Sequence, residues 1–360
     1  MNLNNNYVEK RLILDLSLEE LSQILHSWGE PSYRAKQIWQ GLYKNYRKNA
    51  FEFTNLPKSL RDRLSENFRF RSLIPGDYLE SKDKFTRKTL FHLDNNNAIE
   101  AVLMRYNKRR TLCISTQVGC AMGCTFCATG QMGFKKNLSN GQITEQVIFY
   151  ADQLNQTGEK VTNIVIMGMG EPFLNYDETI KALDNLSHPD GFNMGARKFT
   201  ISTVGIIPGI KRIMNLKKQY NLAISLHSIQ NHTRSALLPI NKKYPVKDLL
   251  EACKEYVKVS HRRITFEWAL IKGINDSIEH ARELAKQLQM FKFDGSTLCH
   301  VNIILLNPTK EFDKSPSTIT QANSFKQELE NYGIPCTFRL DRGSDIQAGC
   351  GQLATKNVKQ

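Results

Sequence analysis

The chain has no apolar run long enough to cross a bilayer as a helix. Stretches such as Ile303–Leu306 are a few residues long, against the roughly 20 that a spanning helix needs. Cysteine is sparse: eight in 360 residues are too few for a disulfide scaffold. The start, Met1 to Glu9, is polar and lacks a signal-peptide core. These absences set the expectation of a cytoplasmic protein, free of membrane, with reduced thiols. Hydrophobic content of 41% excludes a disordered chain. The length suits one large domain and a small one. Acidic residues are also short, 35 against 49 Lys and Arg, which leaves a net charge of +14.

Such an excess favours a polyanion, because cationic side chains attract phosphates and release their counterions. Basic groups recur at Arg61/Arg63, Arg69/Arg71, Lys108–Arg110, Lys135/Lys136, Lys242/Lys243 and Arg262/Arg263. Any single pair reads as solvated helix surface. Together they read as a broad face for RNA or DNA.

Residues 17–68 carry helical signals. Ser17-Leu-Glu-Glu20 is a capping box, with Leu16 able to staple onto Leu21. Leu18, Leu21, Leu25 and Trp28 keep a helical period, as do Ile38, Trp39, Leu42, Tyr43 and Tyr46. Pro57 suits the first turn of a third helix running through Leu60, Leu64 and Phe68. This unit is either a nucleic-acid-docking domain or a packing cap. Lys88–Leu93 and Ala98–Met104 then read as two strands around an Asp94–Asn97 turn. Glu100 shares the second strand's face with Ala98, Val102 and Met104. A carboxylate there needs a partner or a task, unless the position is an exposed edge.

From about residue 110, strand-like runs alternate with helical ones. The strands are Thr111–Ser115, Asn163–Met167, Lys198–Ser202, Leu222–Leu226, Ile264–Leu270 and Val301–Leu306. The helices fall near 142–154, 177–187, 207–216, 247–258, 278–290 and 318–331. Six β-then-α units predict an α/β fold: a parallel sheet curved into a partial (β/α)6 barrel. Chemistry in such barrels sits on the loops after the strands. A last strand-like run covers Thr337–Leu340. The expected division is 1–70 helical accessory domain, 71–105 hairpin linker, 106–340 barrel and 341–360 C-terminal segment.

The first of those loops reads GCAMGCTFCATG and holds Cys120, Cys124 and Cys127. Three thiolates can hold three irons of a four-iron cluster and leave the fourth open to a small molecule. Structural zinc competes for soft thiolates. It usually shows two C-x2-C pairs or a pair with histidines, and no histidine lies between His92 and His188. Gly168-Met-Gly-Glu171 follows the second strand. Its glycines permit close backbone approach, and Glu171 offers a carboxylate to an amine. Beside a three-cysteine cluster this suits S-adenosylmethionine. Ser202, Ser225 and Asn307 are polar contacts at other strand ends, or merely satisfied strand-end groups.

Cys350 lies between glycines in DIQAGCGQL, and Cys113 sits late in the first barrel strand, close to the cysteine loop. The glycines suggest a mobile, accessible thiol. If the tail folds back over the barrel, the two sulfurs could meet as nucleophile and resolving thiol. Two unrelated reduced cysteines is the plainer reading.

At these residues the chain resembles the RlmN family of RNA adenine C2-methyltransferases, in the radical S-adenosylmethionine superfamily. The resemblance runs from about residue 85 to 354. It implies a [4Fe-4S] cluster on Cys120, Cys124 and Cys127. It implies S-adenosylmethionine contacts at Gly170, Glu171, Ser202, Ser225, Leu226, His227 and Asn307, with two molecules used per turnover. It implies transient methylation of Cys350, resolution by Cys113 through a disulfide, and proton acceptance by Glu100. The implied partners are 23S rRNA, tRNA and an external flavodoxin-like electron donor; a monomer is expected. The Cfr branch, which methylates C8 of the same rRNA adenine, is the nearest rival. A zinc-stabilised, non-catalytic RNA-binding protein and a radical enzyme acting on a small metabolite are rivals of other classes.

Overall fold

The computed structural model describes residues 10–339 and 342–355. The polar start Met1–Glu9 and Leu340, the end of the last expected strand, lie outside the described residues.

Three helices open the chain: α1 (Leu18–Ser27), α2 (Tyr33–Tyr43) and α3 (Lys58–Asn67). The capping box forms as read. Glu20 N–H donates to Ser17 Oγ at 3.1 Å, and Ser17 N–H donates to Glu20 Oε2 at 2.7 Å. Leu21, Leu25, Ile38, Trp39, Leu42, Tyr43, Leu60 and Leu64 are buried, as their periods required. Two ends differ from expectation. Tyr46 lies beyond α2 with φ 55°. Phe68 has left the helix and pairs as strand Phe68–Arg69, in parallel with Arg11–Leu12.

The helical unit is fused to the barrel, since one hydrophobic core runs through both. Asp15 Oδ1 accepts from Gly141 N at 2.9 Å, and Lys181 Nζ meets Glu20 Oε2 at 2.8 Å. The buried Glu145 carboxylate accepts from the backbone N–H groups of Ser72 and Leu73. That is how a buried charge is normally tolerated.

Ten strands make one sheet: β1 (Ile74–Glu80), β2 (Thr86–His92), β3 (Ala98–Arg105), β4 (Arg110–Cys113), β5 (Asn163–Ile166), β6 (Phe199–Thr203), β7 (Asn221–Ser225), β8 (Ile264–Leu270), β9 (Cys299–Leu305) and β10 (Cys336–Phe338). They lie side by side in chain order. β1–β4 are antiparallel and β4–β10 parallel. The expected hairpin is therefore continuous with the barrel wall, with β1 as an additional strand. Helices α4 (Asn140–Asn155), α5 (Tyr176–Ser187), α6 (Ile207–Asn215), α7 (Asn231–Leu237), α8 (Val246–Ser260), α9 (Ile278–Leu288) and α10 (Ile319–Asn331) fill the crossovers. The six βα units appear where the period changes, and β10 adds a seventh parallel strand.

Register sets which side chains meet inside the wall. Val102 lies opposite Cys113, Glu267 opposite Asn302, and Ile303 opposite Phe338. The C-terminal segment returns across the barrel's upper mouth, at the carboxyl ends of the parallel strands.

Candidate active site

The cysteine loop follows β4 and is bracketed by two short antiparallel strands, Gln117–Gly119 and Phe134–Asn137. Glycine is required at its base. Gly119 has φ +71°, and a Cβ there would stand 1.8 Å from Gly133 O. A Cβ on Gly130 would stand 2.9 Å from Cys124 N. Cys120 and Cys124 are buried and Cys127 is half-buried. Burial pushes the Cys120 thiol up to about 12 and the Cys124 thiol well above its usual value, and each neighbouring thiol adds to the effect. Free, these thiols are neutral. A bound cation's positive charge is what would make buried thiolates stable. Among the described residues, no three His, Cys, Asp or Glu converge on a single metal ion.

Cys124 and Cys127 open into a cavity at the carboxyl ends of the strands. Gly168, Gly170, Glu171, Ser202, Ser225, His227, Asn307 and Cys350 also line it. Gly170 has φ +103°, and a Cβ there would lie 2.6 Å from Gln117 Cβ. Glu171 is 2% exposed. Its carboxylate accepts from Phe173 N and Val204 N, at 3.0 and 2.9 Å. Burial nevertheless pushes its pKa up to about 7. An ammonium group from a ligand would offset that desolvation.

His227 is buried with φ 56°. Its Nδ1 accepts from Ala269 N at 2.9 Å, so Nε2 carries the proton when the ring is neutral. Burial, aided by the Arg234 charge, lowers its pKa to about 3. Leu226 does not line the cavity. It is fully buried, and its carbonyl accepts from Arg234 Nε at 3.0 Å.

Arg234 is a residue the sequence reading missed. It is 0% exposed, and it also donates to Val204 O, Ser225 O and Asn241 Oδ1 at 2.7–3.1 Å. One guanidinium thus fixes the ends of β6 and β7, and with them Ser202, Ser225 and His227. Burial lowers its pKa to about 10, so it remains charged. Nothing in its helical context signals this role.

The tail brings Cys350 to the cavity. Ala128 N donates to Gly351 O at 2.7 Å, Thr129 Oγ1 to Leu353 O at 2.6 Å and Asn307 Nδ2 to Cys350 O at 3.2 Å. Gly349 is packed so closely that a Cβ there would meet Asn307 Nδ2 at 2.7 Å. Cys350 is half-buried and unbridged.

Cys113 and Cys350 line a second cavity of about 270 Å³, with Val102, Met104, Met167 and Arg339. Both cysteines reach one space. Cys113 is unbridged, and burial pushes its thiol up to about 12, with Cys350 raising it and Arg339 lowering it. Glu100 lines neither cavity. It is 3% exposed, pairs with Lys88 Nζ at 3.0 Å and accepts from Ala354 N at 3.0 Å. Lys88 Nζ also donates to Gln347 O at 3.1 Å. The carboxylate thus has a partner and helps hold the tail.

Glu267 and Arg339 were also missed. Arg339 lines both cavities; its Nη1 is 3.6 Å from Glu267 Oε2. A mid-strand carboxylate within Ile264–Leu270 is the same signal that singled out Glu100.

The donor set fits an iron–sulfur cluster with a bound sulfonium amino acid. Cys124 and Cys127 line one wall with Cys120 in the same loop, and a buried acid and strand-end hydroxyls line the same cavity. Comparison with known proteins agrees. A family model for the radical SAM superfamily matches residues 114–285, and one for a ribosomal RNA large subunit methyltransferase N-terminal domain matches residues 12–69. A probable dual-specificity RNA methyltransferase RlmN of Chloroflexus aurantiacus is 44% identical, over 97% of this chain and 94% of that protein. One of Geobacillus kaustophilus is 43% identical over 97% and 93%. The crystal structure of a radical SAM methyltransferase from Sphaerobacter thermophilus superposes with a TM-score of 0.92 at 43% identity, covering 96% of this chain and all of that one. The chain belongs to the RlmN family of the radical SAM superfamily, which implies an iron–sulfur cluster and S-adenosylmethionine.

Proposed function

We propose that the protein methylates C2 of adenine in RNA, both in the peptidyl-transferase loop of 23S rRNA and beside the anticodon of tRNA. The reading rests on the family and on one observation: Cys113 and Cys350 line a common cavity that adjoins the one beside the cysteine loop. Adenine C2 is not nucleophilic, so polar methyl transfer has no electron pair to use.

Cys120, Cys124 and Cys127 would hold a [4Fe-4S] cluster. Gly170, Glu171, Ser202, Ser225, His227, Asn307 and the Leu226 backbone would position S-adenosylmethionine. When bound and reduced by an external, flavodoxin-like donor, the cluster supplies the electron that splits S-adenosylmethionine into methionine and a 5′-deoxyadenosyl radical. Cys350 first takes a methyl from one S-adenosylmethionine by displacement. It then gives up a hydrogen from that methyl to the radical made from a second. The Cys350-bound carbon adds to C2, and Glu100 is the candidate to take the C2 proton as the adduct radical gives up one electron, for which the oxidised cluster would be the acceptor. Cys113 Sγ then attacks Cys350 Sγ. The S–S bond forms, the S–C bond breaks, and its electron pair stays on carbon, which takes a proton. The protein orients the reactants and excludes water.

Residues 1–70 fit an RNA-docking role, with 71–105 as the hairpin beside them, 106–340 the catalytic barrel and 341–360 the segment carrying Cys350. A cytoplasmic location suits such RNAs; no helix among the described residues is long and apolar enough to cross a membrane. Anaerobic reconstitution with both RNAs, followed by nucleoside mass spectrometry, tests the reading. It predicts 2-methyladenosine in each. Methyl at C8 would transfer the protein to the Cfr reaction, and a colourless zinc protein without turnover would end the enzymatic reading.

A further inference from the structure

A closed β/α barrel fills its lower half with branched apolar side chains. This one does not. At the amino ends of the parallel strands, Thr111, Thr200, Asn221, Thr265 and Asn302 line a cavity of about 630 Å³. Its remaining lining includes Arg109, His261, Arg262, Arg263 and His300. The chain thus has a second mouth, opposite the cysteine loop, with a polar throat and a basic rim.

The rim cations are uncommitted to carboxylates. Arg110, next in sequence to Arg109, pairs with Glu159, and Arg69 with Asp94. Among the described residues, Arg109, Arg262 and Arg263 form no ion pair with a carboxylate. Arg262 Nη2 donates to Asn221 Oδ1 at 2.7 Å, which leaves Nε buried without a partner. His300 Nε2 stands 2.9 Å from Thr337 Oγ1, and its Nδ1 is also buried and unpartnered. Deeper in, Asn302 Nδ2 donates to Glu267 Oε1 at 3.1 Å, while Glu267 Oε2 makes no hydrogen bond. Glu267 is only 4% exposed. Unmet buried donors and acceptors are costly, and here three of them belong to residues that line a single cavity. Donors at the rim suit phosphate oxygens. The Glu267 carboxylate in the throat, whose Oε2 lies 3.6 Å from Arg339 Nη1 without a hydrogen bond, offers an acceptor suited to an exocyclic amine.

The throat abuts the cavities of the reactive thiols, and Arg339 Nη1 stands in the shared wall, 3.2 Å from Met167 Sδ and 3.6 Å from Glu267 Oε2. Met167, Glu267 and Arg339 line both this cavity and the one beside the cysteine loop. Met104, Met167 and Arg339 line both this cavity and the one holding Cys113 and Cys350.

The geometry points to the basal mouth as the entry for the target nucleotide: an unpaired base passes through the throat while Arg109, Arg262 and Arg263 hold the flanking phosphates. This rests on RNA being the substrate. A stacked base cannot reach an interior site, so a loop or flipped nucleotide is the form that would enter. Phosphate contacts position and base contacts select, which assigns the rim to the first task and Glu267 to the second.

The test uses reconstituted holoenzyme, an in vitro transcribed tRNA and a 23S rRNA fragment carrying the peptidyl-transferase loop. R262Q/R263Q is compared with wild type and with K211Q/K258Q, a charge-matched change at exposed lysines on the outer helices α6 and α8. The rim variant should bind both RNAs at least tenfold more weakly. Its slope of log affinity against log salt should be shallower by about 1.4, from two lost phosphate contacts. The outer variant should change neither. With 4-thiouridine placed beside the target adenine, photocrosslinks should map to Lys108–Arg110 or His261–Arg263. Wild-type affinity and salt slope in the rim variant would overturn the entry route, as would crosslinks confined to α1–α3 or the outer helices. Binding is read without turnover, so absent or misplaced methylation would count against the proposed reaction and leave this result standing.

Discussion

The cysteine loop and the C-terminal tail meet at the same mouth, but they are held there by different means. The loop is shaped locally. Its strands pair within about twenty residues of sequence, Cys120 N donates to Gly133 O at 3.0 Å, and its glycines admit close backbone contact. Among the described residues, the tail has only the turn Ser344–Ile346 and a few short-range hydrogen bonds of its own. It is pinned by Lys88, Glu100, Ala128, Thr129 and Asn307. A locally built element keeps its geometry if a distant contact fails. A tethered one should lose its geometry contact by contact.

The largest contrast comes from removing a sulfur on each side. Cys124→Ala should abolish iron–sulfur absorbance and all formation of 5′-deoxyadenosine. Cys350→Ala should keep the absorbance and lose protein methylation and turnover to background. Equal loss of absorbance in both would erase the distinction. Cys113→Ala sharpens it further. This variant should still form the RNA adduct but fail to release it, leaving a denaturation-resistant protein–RNA band. Free release of product would refute the resolving role.

Gly119→Ala tests the local arm. The new Cβ meets a backbone oxygen at 1.8 Å in a positive-φ position. A cost of about 2–4 kcal/mol, read by thermal melting, should come with poor iron loading. His227 gives a pH test. Its folded pKa, about 3, lies below the unfolded value near 6.5. Its contribution to stability is complete above pH 6.5 and is lost as pH falls towards 3, at about 1.4 kcal/mol per unit. Urea melts of cluster-free protein at pH 7 and pH 5 should show wild type losing about 2 kcal/mol more than His227→Gln over that interval. The smallest effect should come from Thr129→Val, which removes one tether from Leu353 O. About 1 kcal/mol of local stability should disappear as faster amide exchange in residues 349–354, with the cysteine loop unchanged.

The same division explains what the sequence could show. The barrel strands and helices were legible because apolar period changes from 2 to 3.6 at each junction. The cysteine loop was legible because its ligands are close in sequence. β1 escaped notice: Pro75, Gly76 and Asp77 suppress the strand signal, and its pairing with β2 is irregular between Pro75 and Tyr78. The tail's path escaped because its partners lie 40 to more than 250 residues away. Cys350 could be singled out, but nothing in the sequence showed that its neighbour Gly349 packs against the Asn307 side chain. Arg234 was invisible because a lone arginine on a short helix reads as surface until the strand ends are seen around it. The polar throat was present in the letters of Thr200, Asn221 and Asn302. Only the curvature of the sheet turns those positions toward one another.

The central claim is that the methyl group passes through Cys350 on its way to RNA. Supplying S-adenosylmethionine with a trideuterated methyl group tests it most directly. The account predicts label first on the Cys350 peptide, then 2-methyladenosine carrying two deuterons, with the third in 5′-deoxyadenosine. A product methyl that keeps all three deuterons, formed without label on Cys350, would contradict it.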